Sequence, residues 1–185
     1  MKRVCTVLAG CTLLLAACNS SPTAPESATS AVSEMAAAND KAPKLTGTGD
    51  HTRIVAGVSA LTSFSFTAIG EADGSAKGHY DYNFRAAGFE VRGPVTCISQ
   101  VGNQVWVGGI VEDVVTDNPD FEVLKGLEMW WRSTDNGEGA NAPPDMTTGL
   151  GFGFAGSTVT AASWCANKPL TLIARAVEGG NLQVH

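Results

Sequence analysis

The sequence predicts an all-β fold, an antiparallel meander of about eight strands closed as a small barrel, with a β-sandwich as the alternative. Three observations carry that prediction. Stretches such as Ser63-Phe64-Ser65-Phe66-Thr67-Ala68 alternate polar and apolar residues with period two, as half-buried strands do. Two-residue turn signals, Asp73-Gly74 and Gly102-Asn103, separate such stretches. Past the N-terminal apolar run there is no long 3.6-residue periodicity, and the 21 glycines suit bent strands and tight turns.

The chain begins with Lys2 and Arg3, an apolar run from Val4 to Ala17, and Leu15-Ala16-Ala17-Cys18. That order reads as a lipoprotein signal peptide over residues 1–17 with a lipobox. A short apolar segment engages the export machinery, small residues precede the cut, and the Cys18 thiol is the lipidation site. The run is too short to span a bilayer, which needs about 20 residues. An ordinary secretory signal cut after Ala17 is the competing reading. Asn19 supplies no inner-membrane retention signal, so the expected location is the bacterial cell envelope, lipid-anchored, at the outer membrane where one exists.

Residues 18–46 are rich in Ala, Ser, Thr, Pro and Glu and poor in large apolar side chains. Such a segment buries too little surface to offset ordering and is expected to be a disordered acylated tether. The remaining residues, 47–185, make one domain of ordinary size. Strands are expected over Ser63–Ala68, Lys77–Phe84, Val91–Val101, Gln104–Val111 and Leu127–Ser133. Further ones fall at Gly151–Phe154 or Thr158–Ala161, at Leu170–Val177 and at Leu182–His185. Pro94 points to an edge or a bulge early in its strand.

The five cysteines sort by compartment. Cys5 and Cys11 leave with the signal and Cys18 is acylated, so Cys97 and Cys165 remain as a pair in an oxidising environment and are expected to form a disulfide. A metal or redox pair is the alternative, but the close C-x-x-C spacing is absent. Cleavage removes two of the 12 basic residues and none of the 18 acidic ones, which makes the formal charge still more negative than −6. Nucleic acid is excluded as an expected partner, because basic patches supply that affinity.

The segment Ser133 to Asp145 is the least generic part of the domain. Trp130-Trp131-Arg132 runs into Asp135-Asn136-Gly137-Glu138-Gly139, then Ala142-Pro143-Pro144-Asp145. Together with Val95-Thr96-Cys97, the Gly102-Asn103 turn, Trp106-Val107-Gly108-Gly109 and the terminal Gly180-Asn181-Leu182-Gln183-Val184, this loop resembles a family of uncharacterised bacterial secreted proteins. The resemblance runs from about Leu61 to the end, and it implies a common architecture with no activity to carry over. Physically, the loop has two readings. Asn136-Gly137 and Pro143-Pro144 suit a structured turn with side chains satisfying backbone groups. Asp135, Glu138 and Asp145 also offer oxygen ligands of the kind Ca²⁺ takes, although the spacing of a calcium hand is absent.

Two further clusters attract a functional reading. On a strand, Leu127, Met129 and Trp131 make a core face, which leaves Trp130 beside Glu128 and Arg132. Trp130 with Arg132 is a candidate stacking wall for a glycan or small molecule. The competing reading is a strand buried on both faces, or Arg132 covering the ring. His79 and Asp81 share a polar strand face with Asn83, either lining a lumen as an acid–base pair or facing solvent. Gly151-Phe152-Gly153-Phe154-Ala155-Gly156 matches a dinucleotide motif by letter only, because no βαβ unit surrounds it. No G-x-S-x-G or H-E-x-x-H motif is present. The expected function is therefore a binding or structural envelope module with a small-molecule, glycan or envelope-protein ligand. An enzyme with a small polar pocket, or a calcium-stabilised binding domain, is the alternative.

Overall fold

The computed structural model describes residues 41–55, 57–139 and 141–185. The expected signal peptide, Cys18 and the tether up to residue 40 lie outside the described residues. The described part is nearly all β, a single antiparallel sheet curled into a half-barrel rather than two packed sheets. Its strands are β1 (Lys44–Val55), β2 (Val58–Gly70), β3 (Ala76–Phe84), β4 (Phe89–Val101), β5 (Gln104–Ile110), β6 (Asp113–Thr116), β7 (Glu128–Thr134), β8 (Met146–Thr148), β9 (Gly151–Phe152), β10 (Ala174–Ala176) and β11 (Gly179–Val184). A helix, α1 (Ala161–Asn167), lies between β9 and β10.

The order of strands across the sheet is β10-β8-β7-β5-β4-β3-β2-β1-β11, with β6 paired to β4 and β9 to β7. The two ends of that path, β10 and β11, are consecutive in the chain, with Val177 and Glu178 between them. One C-terminal segment thus leaves β8 and joins β1, drawing the two margins of the sheet together. Pairing along β1 begins at Leu45 with Val184 and Lys44 with Ile69, so residues 44–46, expected in the tether, belong to β1.

Period two decides which side chains enter the barrel. Phe64, Phe66, Tyr80, Tyr82, Phe84, Met129 and Trp131 point inward and are buried. The rings pack in contact, with Phe66 4.5 Å from Trp131, Phe64 4.6 Å from Phe66 and Phe84 4.4 Å from Phe89 between centroids. Space for them comes from β1, whose Gly47 and Gly49 lie opposite Phe66 and Phe64. A Cβ on Gly49 would sit 2.6 Å from Val177 Cγ1 and 2.9 Å from Phe64 Cζ, so the ring needs the glycine. The expected division of β3 holds: Tyr80, Tyr82 and Phe84 face the core, while Lys77 and His79 face solvent. A register shift between Val95 and Cys97 follows directly on Pro94, where the sequence suggested one.

Strands occur at all eight expected places, but Leu170–Val177 shrinks to Ala174–Ala176, and one choice is settled. Gly151–Phe152 is a strand, whereas Thr158–Ala161 leads into α1. Thr160 caps the helix by accepting from Ser163 N–H, and Ser163 Oγ accepts from Thr160 N–H in return. Lys168 ends it in a left-handed conformation just before Pro169. Ala161, Trp164 and Cys165 form its buried face, with the i, i+3, i+4 spacing of a single helix side.

That face covers the outside of the sheet. The Cys97–Cys165 disulfide joins α1 to β4, as expected, with a sequence separation of 68. Gly108 lets the helix approach, because a Cβ there would meet Ala161 Cβ at 2.7 Å and Cys97 Sγ at 2.8 Å. Trp164 Nε1 donates to Trp131 O at 2.9 Å, and Trp106 Nε1 donates to Pro169 O at 2.9 Å. Breaking the bridge with Cys97→Ser and Cys165→Ser together frees a 68-residue loop in the unfolded chain. Unfolding in denaturant is expected to show a loss of about 4 kcal/mol, and the same loss on reducing the unaltered protein.

Candidate functional site

The structure disperses the residues that the sequence suggested. His79 and Asp81 stay neighbours on the solvent face of β3, 3.8 Å apart and about half exposed. Trp130 is corrected from an open stacking wall to a buried residue, 6% exposed. It stacks on Trp164 of α1 at 6.2 Å, in a second small core with Trp106 on the outer sheet face. The strand is thus buried on both faces, because the helix held by Cys165 covers the side that a lone sheet would leave wet. Arg132 lies beside this core, and burial lowers its pKa. His79 and Asp81 are on β3 and Trp130 and Arg132 on β7, with β4 and β5 between, so the four do not converge.

The Asp135–Asp145 loop works on the backbone. His185 and Lys44 exchange both main-chain bonds across β11 and β1, so the N–H groups of Leu182 and Val184 face away from β1. Asp145 Oδ2 accepts from Leu182 N at 2.7 Å and Asp135 Oδ2 from Val184 N at 2.9 Å. The other oxygens hold the loop itself. Asp145 Oδ1 accepts from Asn136 N and Asp135 Oδ1 from Gly137 N, both at 2.8 Å. Glu138 Oε1 accepts from Asn181 Nδ2 at 2.6 Å. Among the described residues no group of three His, Cys, Asp or Glu comes together as a metal cluster. The three carboxylates offered for Ca²⁺ are thus spread along β11, each occupied by N–H donors of the protein.

A different constellation sits inside the barrel, and the sequence reading passed over it. His51 is 0% exposed, and its Nε2 lies 2.5 Å from the Tyr82 hydroxyl. It reaches the interior because β1 alternates inward through Leu45, Gly47, Gly49, His51 and Arg53. The opposite partners on β2 are Thr62 for His51 and Ala60 for Arg53. Arg53 lies over the Phe84 ring, 5.0 Å from its centroid. Arg175 of β10 lies opposite Thr147 of β8, and its guanidinium donates to the exposed Ile173 O at 3.2 Å. The inward pattern Gly-x-Gly-x-His-x-Arg was the available signal. It was hard to see because its apolar surface belongs to the neighbouring aromatic rings.

The electrostatics of this end are unusual for an acidic protein. His51 is pulled down from 6.5 to about 4, first by burial and then by the positive charges of Arg175 and Arg53. Burial also raises the Tyr82 pKa, so both groups are neutral at pH 7. The negative charges of Glu178 and Asp50 act on His51 in the opposite sense. Glu178 accepts from Thr52 N at 3.0 Å and from Thr52 Oγ1 at 2.8 Å, and Asp50 lies 3.8 Å from Arg85. Neither Arg53 nor Arg175 has an ion pair among the described residues. Arg53 Nε and His51 Nδ1 are both buried without a hydrogen-bond partner there.

Compared with protein-family models, curated proteins and solved structures, the chain matches none.

Two outcomes follow from this arrangement. Asp145→Asn replaces one acceptor oxygen by an NH₂ facing a backbone donor, and is expected to cost about 2 kcal/mol in denaturant unfolding. His51 binds a proton in the unfolded chain below pH 6.5 but in the folded one only near pH 4. Its contribution is complete above pH 6.5 and is lost as pH falls toward 4, by up to about 3 kcal/mol. Stability measured across that window is expected to fall more steeply in the unaltered protein than in His51→Gln.

Proposed function

We propose that this protein is a lipid-anchored binding module of the bacterial cell envelope. In this reading Cys18 carries the acyl chains, the polar residues after it act as a stalk, and the half-barrel presents a ligand site outside the cytoplasm. The single observation that carries the location is the Cys97–Cys165 disulfide, which ties α1 to the sheet and suits an oxidising compartment. The lipobox Leu15-Ala16-Ala17-Cys18 supports anchoring, and the resemblance of the loop and C-terminal motifs to secreted proteins supports export.

Binding is favoured over catalysis by the state of the titratable groups. His79 and Asp81, the expected acid and base, stand in solvent, while His51 is sealed inside and held neutral beside two arginines. A solvated pair and a sealed, neutral imidazole are poorly placed to move a proton to or from a substrate.

Metabolic labelling with radioactive palmitate tests the anchor. The full chain expressed in a bacterium is expected to incorporate label and to sediment with membranes, whereas Cys18→Ala is unlabelled and soluble. Labelling that persists in Cys18→Ala, or two reactive thiols at Cys97 and Cys165 in the cell-isolated protein, counts against the reading.

A further inference from the structure

We propose that the β1–β2 hairpin is a membrane-contacting element whose tip enters the interface of a lipid bilayer carrying anionic headgroups. That contact deepens the envelope-module reading, on which it rests for a bilayer within reach.

The hairpin outruns its neighbours. β1 pairs with β11 as far as Asp50 with Gly179, and β2 pairs with β3 from Thr62 with Phe84. Beyond those points β1 and β2 pair only with each other, out to Val55 with Val58. The two-stranded ribbon from Thr52 onward extends about 13 Å at the rise of a strand. A ribbon of two strands is marginal in water. Its tip nevertheless reads Ile54-Val55-Ala56-Gly57-Val58, with no polar side chain. Ile54 is 68% exposed and Val58 66%. Such a tip is costly in water and favourable in an apolar medium.

Charge selects the medium. From His51 to Gly70 there is no Asp or Glu, although the chain has 18 acidic residues. Arg53 stands just behind the tip, its guanidinium over Phe84, and exposed Arg85 begins the short 3-10 helix Arg85–Ala87 beside it. The acids at the base of the hairpin have partners: Asp50 lies 3.8 Å from Arg85, and Glu178 accepts from Thr52. An apolar tip followed by arginines matches the order of acyl region and phosphate headgroup in a bilayer. A projecting tip also suits a medium that deforms around it, and the arginines favour a negative surface.

Strand direction separates this contact from the expected anchor. β1 enters the sheet at Lys44, and the β4–β5 turn at Val101 lies at that same end. The hairpin tip lies at the other end of β1, about 36 Å further along the strand. A lipid at Cys18 alone would therefore bring the Lys44 end, not the tip, to the membrane.

Brominated lipids decide the matter. All four native tryptophans are buried, so bromine on acyl chains quenches only a tryptophan added at the surface. The full chain with Val58→Trp or Ile54→Trp at the tip, or Val101→Trp at the opposite end, is mixed with brominated phosphatidylcholine vesicles, with and without phosphatidylglycerol. Both tip tryptophans are expected to be quenched on the anionic vesicles, and Val101→Trp to stay bright. In the Val58→Trp background, Arg85→Gln is expected to raise the lipid concentration for half-quenching about fivefold, and Ile54→Asp about tenfold. No quenching at either tip position, equal quenching at Val101→Trp, or equal quenching on neutral vesicles overturns the proposal. Quenching reports the tip and palmitate labelling reports Cys18, so a failed tip and a failed anchor are told apart.

Discussion

Leu182 and Val184 turn their backbone N–H groups away from β1, toward a side of β11 where no strand lies to accept them. Leu182 is 0% exposed, so water cannot serve in place of a partner. A sheet margin in that state costs free energy at every donor. Asp145 and Asp135 remove the cost by accepting both bonds through carboxylate oxygens. Much of the architecture depends on that substitution of side chains for a strand. With the margin satisfied, β11 can hold β1 against the sheet while β10 stays on β8, and the aromatic interior is enclosed between them.

The same closure creates the polar end of the barrel. Val177 N–H donates to Asp145 O and Glu178 N–H to Asp50 O as the C-terminal segment passes from one partner to the other. That crossing brings β10 close to β1, the strand that carries His51 into the interior. The buried His51–Tyr82 pair thus sits in the interior that this closure encloses. Its two residues belong to no contiguous motif. On the outer face, α1 does comparable work with apolar groups: the disulfide and Gly108 bring it close enough for Trp106, Trp130 and Trp164 to exclude water.

Legibility varied with locality. β2, β3 and the first part of β4 were readable because each carries its own alternation of apolar and polar residues, and β5 because it follows the Gly102-Asn103 turn. β1 was not, since its inward positions after Leu45 are Gly47, Gly49, His51 and Arg53, whose apolar complement is supplied by Phe66 and Phe64 across the ladder. β6 and β8 span only Asp113–Thr116 and Met146–Thr148, too short to show a period. α1 has seven residues, and its one local sign is the Thr160–Ser163 capping box. Among the site residues, the positions of His79 and Asp81 on one strand face could be read locally. The burial of Trp130 could not, because the residue that covers it, Trp164, is supplied by a distant part of the chain.

Taken alone, the sequence determined that the chain is β-structured and which face of strands such as β2 and β3 turns inward, and it pointed to Cys97 and Cys165 as a pair. Each of these rests on local spacing or on elimination among few candidates. Only the tertiary structure decided what the Asp135–Asp145 loop accepts, that Trp130 is covered, and that His51 meets Tyr82 in the interior. Those outcomes depend on contacts between residues far apart in sequence, where the partner that satisfies a hydrogen bond or excludes water leaves no trace in the segment it completes.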